Sequence, residues 1–143
     1  MRFLFLLPLC FCFLISSCGE SKFEGLKEEL IHHNLLANKP EKVVFIPYQG
    51  CSTCASKALS YLKTDGASEN LQFVFINYRS EKEIKIRLQA FGIKSDGCLF
   101  VKNAQNLYTS GIPLFYPSIV TVNQTELNVI VADPNNLDVW DDL

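Results

Sequence analysis

Cys51-Ser52-Thr53-Cys54 is the part of this chain with the clearest chemical capacity. Two thiols with two residues between them can share one helical turn, which brings both sulfurs to one side and allows a disulfide. The same pair can give a metal two thiolate ligands. Alternatively, one cysteine held as a thiolate can attack a disulfide, and the other can resolve the mixed disulfide that forms. The motif therefore reads as an exchanging redox pair, a fixed disulfide, or half of a metal centre.

Ligand supply argues against the metal. Structural zinc takes four nitrogen or sulfur ligands. Beyond Cys51 and Cys54 the downstream chain offers Cys98, and the only histidines are the adjacent His32 and His33. Neighbours on a helix point about 100° apart, which makes them poor joint ligands. No metal or other cofactor is expected.

Whether a cysteine pair persists as a disulfide depends on the compartment, and the N-terminus bears on this. Met1-Arg2 is followed by an almost wholly apolar run from Phe3 to Ile15 and then Ser16-Ser17-Cys18. A spanning helix needs about 20 apolar residues. This run is shorter and fits a secretory signal over residues 1–17. Ile15-Ser16-Ser17-Cys18 resembles a bacterial lipobox, which implies that Cys18 becomes the lipidated first residue of the mature chain. The protein would then be anchored in the bacterial cell envelope through the lipid on Cys18 and would face the periplasm. The alternative is an ordinary cleaved signal with Cys18 as a bystander. Of six cysteines, Cys10 and Cys12 leave with the signal and Cys18 carries the lipid, so Cys51, Cys54 and Cys98 remain. Outside the cytosol a close pair such as Cys51 and Cys54 can stay oxidised. Cys98 reads as a buried free thiol, or else as a third thiol shuttling with Cys51.

The remaining chain is long enough for one domain with a single core. A net charge of −2, with no basic stripe and no interleaving of aromatics and lysines, argues against a nucleic-acid partner. The sequence contains no internal repeat and no low-complexity tract.

The flanking elements have to position the cysteines. Ser21 to Glu24 has the form of a capping box. Phe23, Leu26, Leu30, Ile31 and Leu35 then follow at helical spacing, with a stop at Asn38-Lys39-Pro40, so residues 18–40 are expected to hold an amphipathic helix. Val43 to Ile46 is a continuous apolar run typical of a strand buried on both faces. From Cys51 to Lys63 the positions of Ala55, Ala58, Leu59 and Leu62 predict a helix, ended by Asp65-Gly66. Leu71 to Ile76 predicts a second buried strand, parallel to the first across a βαβ unit. Ser80 to Glu83 is a second capping box, followed by Ile84, Leu88 and Phe91 on one helical face and Gly92 as its end. Cys98 to Val101 predicts a strand and Asn103 to Asn106 a turn. Ser118 to Val122 and Glu126 to Ala132 predict a hairpin through Asn123-Gln124-Thr125. The tail from Asp133, with Trp140, either forms a short helix or frays.

This order, together with Cys51-Ser52-Thr53-Cys54 and Tyr116-Pro117 before a core strand, resembles the thioredoxin-like superfamily, in particular its exported bacterial lipoproteins. The resemblance covers Val43 to Ala132. It implies an α/β domain over residues 41–143, with a central mixed sheet flanked by helices. It also implies thiol–disulfide exchange with protein thiols or disulfides, in which Cys51 attacks and Cys54 resolves. Pro117 would be a cis proline facing the pair, and Tyr116-Pro117 would border the substrate. Pro113 is a weaker candidate, because a strand starting there would be broken at Pro117. The chain departs from the family at three places: Gly50 replaces the aromatic before the first cysteine, Phe45 replaces the buried acid six residues earlier, and Ser52-Thr53 replaces Gly-Pro. A non-catalytic lipoprotein with a static disulfide, acting as a binding or structural module, is the alternative reading.

The lipobox makes a direct prediction. Expressed in a bacterium, the chain should fractionate with membranes and incorporate labelled fatty acid, and Cys18→Ala should abolish the labelling. An exported wild-type chain that stays soluble would refute the anchor.

Overall fold

The computed structural model describes residues 24–65, 70–123, 126–141 and 143. The signal segment 1–17, Cys18, Ser21 and Phe23 lie outside the described residues, as do Gly66 and the turn residues Gln124 and Thr125.

The sheet is built around a central strand that is buried on both faces. β1 spans Lys42–Pro47, and Val43, Val44, Phe45 and Ile46 are all buried. It pairs in parallel with β2 (Leu71–Ile76), joined to it by α2 (Ser52–Asp65), as the βαβ pattern predicts. On its other side β1 pairs antiparallel with β4 (Ser118–Val122), which continues antiparallel into β5 (Leu127–Val131). The outer strand β3 (Cys98–Val101) lies parallel to β2, giving a five-stranded mixed sheet in the order β3-β2-β1-β4-β5.

Alternation along the strands divides the core into two layers. Val44, Ile46, Phe73, Phe75 and Ile119 pack on one face with Ala58, Leu59 and Leu62 of α2 and with Ile84 and Leu88 of α3 (Glu81–Ala90). Val43, Phe45, Val74, Ile76 and Val120 pack on the other face. There they meet Leu26 and Leu30 of α1 (Glu24–His32) and Leu107 of α4 (Gln105–Thr109). Each such valine, leucine, isoleucine or phenylalanine side chain contributes roughly 1.5–3 kcal/mol when buried. The result is an α/β domain with helices on both faces of the sheet. Among the described residues, no helix is long and apolar enough to cross a membrane.

Several expectations are corrected. α1 stops at His32, before Asn38-Lys39-Pro40, because Asn34 takes the left-handed conformation (φ 56°). The Asn34 N–H donates to the Ile31 carbonyl and the Leu35 N–H to the Leu30 carbonyl, both at 2.9 Å, and this is a Schellman ending with asparagine in the usual glycine position. Ile31 was expected on the buried face but is 60% exposed, whereas Leu35 beyond the cap is buried. α3 ends in the same way. Gly92 (φ 75°) is left-handed as expected, and Ile93, bonded back to the Leu88 carbonyl, fills the core position assigned to Phe91, which is exposed. Ser80 is the N-cap of α3 with extended backbone, but its side chain makes no capping bond, so that capping box is not formed.

The least legible segment, 95–114, provides β3 and α4. Where a turn was expected at Asn103 to Asn106, the chain enters α4 at Gln105 and buries Leu107 completely. The entry to β3 is fixed by buried Gln72, whose Nε2 donates to the carbonyls of Gly97 (3.1 Å) and Phe73 (3.2 Å). The tail closes with a 3₁₀ turn at Leu137–Trp140, and Trp140 is buried against α2 with its ring beside Tyr61.

The role of α4 in the core can be tested directly. Leu107→Ala should lower the unfolding free energy by about 2–5 kcal/mol, read as a reduced urea midpoint with an unchanged slope. Tyr108→Ala, at an exposed neighbouring position, should change it by no more than about 0.5 kcal/mol.

Candidate functional site

β1 and β2 end in register at Pro47 and Ile76, and the chain leaves the sheet at that edge. The segment Tyr48-Gln49-Gly50 then leads into α2, whose first helical residue is Ser52. Cys51 is therefore the N-cap. Its carbonyl accepts from the Ala55 N–H (2.9 Å), and its Sγ accepts from the Cys54 N–H at 3.3 Å. A sulfur thus occupies the capping position usually held by Ser, Thr, Asp or Asn. Unpaired N–H groups and the positive end of the helix dipole converge there, and both favour negative charge. The first turn carries no acidic residue to oppose a thiolate.

Cys51 and Cys54 form a disulfide with Cα atoms 5.3 Å apart. Cys51 is partly exposed and Cys54 is fully buried, as expected for one sulfur at the helix tip and one a turn inside. A partner can therefore reach the first sulfur and not the second.

The loop 113–117 forms the other wall of the site. The Phe115 carbonyl accepts from the Cys51 N–H at 2.9 Å. This approach also explains Gly50. A Cβ built on Gly50 would fall on the Phe115 carbonyl oxygen, 2.9 Å from its carbon and 3.2 Å from its Cα, so no larger residue fits unless the backbone moves. The aromatic that the family resemblance implies before the first cysteine is excluded here by space. Tyr48, two residues earlier, packs against the first core layer, and the Arg87 guanidinium lies 5.5 Å from its ring centre.

The loop brings Tyr116-Pro117 to the same end of the sheet as the disulfide, but the cis proline is corrected. No cis peptide bond occurs among the described residues, so Pro117 follows a trans bond. The bend over 114–116 already delivers the Phe115 carbonyl to Cys51, and trans is favoured by about 0.5–1 kcal/mol before proline unless the context reverses it. Pro117 is buried, and its carbonyl accepts from the Ala132 N–H (2.8 Å). Tyr116 is half-buried, and its main chain has no hydrogen bond to another described residue. Phe115 is 55% exposed, with its ring edge-on to that of Tyr116.

Sequence reasoning missed Asn77. This residue follows β2 with a left-handed backbone (φ 51°). Its Nδ2 donates to the Gln49 carbonyl (3.1 Å) and the Leu114 carbonyl (2.9 Å), one in each loop of the site. The only signal in the sequence was an asparagine directly after an apolar strand, a type tolerant of positive φ. Phe115 was missed too, because its contribution is a main-chain carbonyl.

Cys98 is a buried free thiol, in line with the first of its two readings. The shuttle role is corrected by register. Cys98 pairs with Phe73, three positions from the Ile76–Val101 end where the disulfide lies, and two strands across from β1. That is roughly 10 Å along the strands and roughly 10 Å across them. Burial, and secondarily Asp96, push its thiol up from 9.0 to about 11. His32 and His33 sit at the end of α1 with their rings edge-on to each other. Among the described residues no three of His, Cys, Asp and Glu gather as a metal ligand set.

No protein-family model, curated protein or solved structure matches this chain.

The Cys98 environment predicts a pH effect. Below about pH 9 the thiol is protonated whether folded or unfolded. From there to about pH 11 the unfolded chain releases its proton while the folded chain keeps it, so stability falls as pH rises. Urea unfolding should show wild type losing about 2–3 kcal/mol relative to Cys98→Ala across that window, at 1.36 kcal/mol per pKa unit. Parallel curves for the two proteins would refute the assignment.

Proposed function

We propose that the chain is a membrane-anchored, periplasm-facing thiol–disulfide exchange protein of thioredoxin-like type, acting on protein thiols or disulfides. The observation that carries this reading is the asymmetry of the pair: Cys51 is reachable and caps α2 with its sulfur, while Cys54 is sealed beneath it. A βαβ unit opening on the pair and a mixed sheet with an antiparallel hairpin are compatible with that fold.

In the reducing direction, the Cys51 thiolate attacks one sulfur of a partner disulfide. A mixed disulfide forms, and the partner's other sulfur leaves as a thiolate that takes up a proton. Cys54 then loses its proton and attacks Cys51 Sγ, which expels the partner's first sulfur as a second thiolate. Two electrons pass to the partner, and Cys51–Cys54 ends oxidised. The oxidising direction is the reverse sequence. Tyr116, with an unpaired main chain and an aromatic side chain beside exposed Phe115, would receive the extended partner segment.

A static disulfide is the second reading, and one observation favours it. Phe45 is buried in the opposite core layer, at the position where the family resemblance calls for an acid to accept the Cys54 proton. Redox titration separates the two readings, since structural disulfides lie below about −300 mV and exchanging ones above it. Cys54→Ser should trap mixed disulfides with partner proteins through Cys51, and Cys51→Ser should trap few. Equal trapping, or a potential in the structural range, would leave the static reading.

A further inference from the structure

Cys51 sits where two loops meet, and a short circuit of hydrogen bonds and chain links fixes it there. The Gln49 N–H donates to the Asn77 carbonyl (3.1 Å), and the Asn77 Nδ2 donates back to the Gln49 carbonyl (3.1 Å). The same Nδ2 donates to Leu114 (2.9 Å), and the residue after Leu114 presents its carbonyl to the Cys51 N–H. The circuit runs Asn77, Gln49, Cys51, Phe115, Leu114 and back to Asn77. Asn77 is its only member outside the two loops, and it stands at the end of β2, a buried core strand.

We propose that Asn77 is the positioning residue of the Cys51–Cys54 pair, setting how readily the two thiols close into a disulfide by holding both loops against β2. The inference rests on the exchange reading of that pair. What Asn77 sets is the effective concentration of one thiol beside the other. Closing the disulfide needs Cys51 Sγ held over Cys54, so a looser Cys51 loses more freedom on closure and the closed form is disfavoured. The amide is suited to this role because its NH₂ supplies two donors to two carbonyls. The left-handed backbone is compatible with asparagine and aims the side chain at both loops.

The backbone conformation decides which variant to use. Asn77→Gly keeps the left-handed φ without strain and removes only the two bonds. Asn77→Asp keeps the shape but faces both carbonyls with an acceptor. The full chain is equilibrated with reduced and oxidised glutathione. Each protein disulfide reduced consumes two reduced glutathiones and yields one oxidised glutathione. Readings are taken at a pH below the measured Cys51 and Cys54 thiol pKa values, where thiolate stabilisation does not contribute. Both variants should lower the closure constant about tenfold, a shift of about 30 mV to a more oxidising potential. Leu107→Ala, which destabilises the fold but removes neither Asn77 side-chain bond, should leave it unchanged.

A shift of less than threefold in both variants, a shift to a more reducing potential, or an equal shift in Leu107→Ala would overturn the inference. If Asn77→Gly does not fold, Asn77→Asp decides. A wild-type pair as reducing as a structural disulfide would overturn the exchange reading and still leave the comparison between variants intact, so the two failures are distinguishable.

Discussion

The rest of the molecule depends on the double-sided burial of β1. A strand covered on both faces can carry no unpaired polar side chain, and its main chain must pair on both edges. Val43 to Ile46 meet the first demand, and β2 and β4 meet the second. Its alternate residues feed both core layers, so the helices on each face pack onto side chains that β1 supplies. The chain can change chemistry only where this strand ends, and the cysteines follow at that end, after Tyr48-Gln49-Gly50.

At that edge the structure replaces side chains with main chain. The Phe115 carbonyl lies so close to Gly50 that a Cβ has no room, and it takes the Cys51 N–H. That N–H is therefore unavailable to the Cys51 sulfur, which receives the Cys54 N–H instead. The Cys51 sulfur, partly exposed at the helix tip, receives one N–H, and the residue at position 45 is a phenylalanine rather than a carboxylate. Geometry, more than charge, distinguishes the two cysteines.

Much of the fold was legible. β2 has the bounds its apolar run predicted, β1 and α2 lie within two residues of their expected positions, and the hairpin of β4 and β5 follows Tyr116-Pro117. These elements carry strong local signals, an apolar run or a helical period, and each buries what its pattern says. The illegible parts had local signals that tertiary contacts overrode. α1 ended early because Asn34 could adopt the left-handed backbone and Leu35 could reach the core from beyond it. Segment 95–114 has weak periodicity because α4 is short and Leu107 is its only buried helical residue.

For the site, the residue order alone implied that two cysteines would meet on the first turn of a helix after a buried strand, because spacing and local periodicity are properties of neighbouring residues. It also implied which sulfur would be outermost, since that follows from helical geometry. The trans bond before Pro117, the passing carbonyl that requires Gly50, the tie that Asn77 makes between two distant loops, and the place of Cys98 on the outer strand away from the pair all came from the folded chain. Each of these depends on main-chain atoms or strand register brought together from separate parts of the chain, and such contacts leave almost no trace in the identities of neighbouring residues.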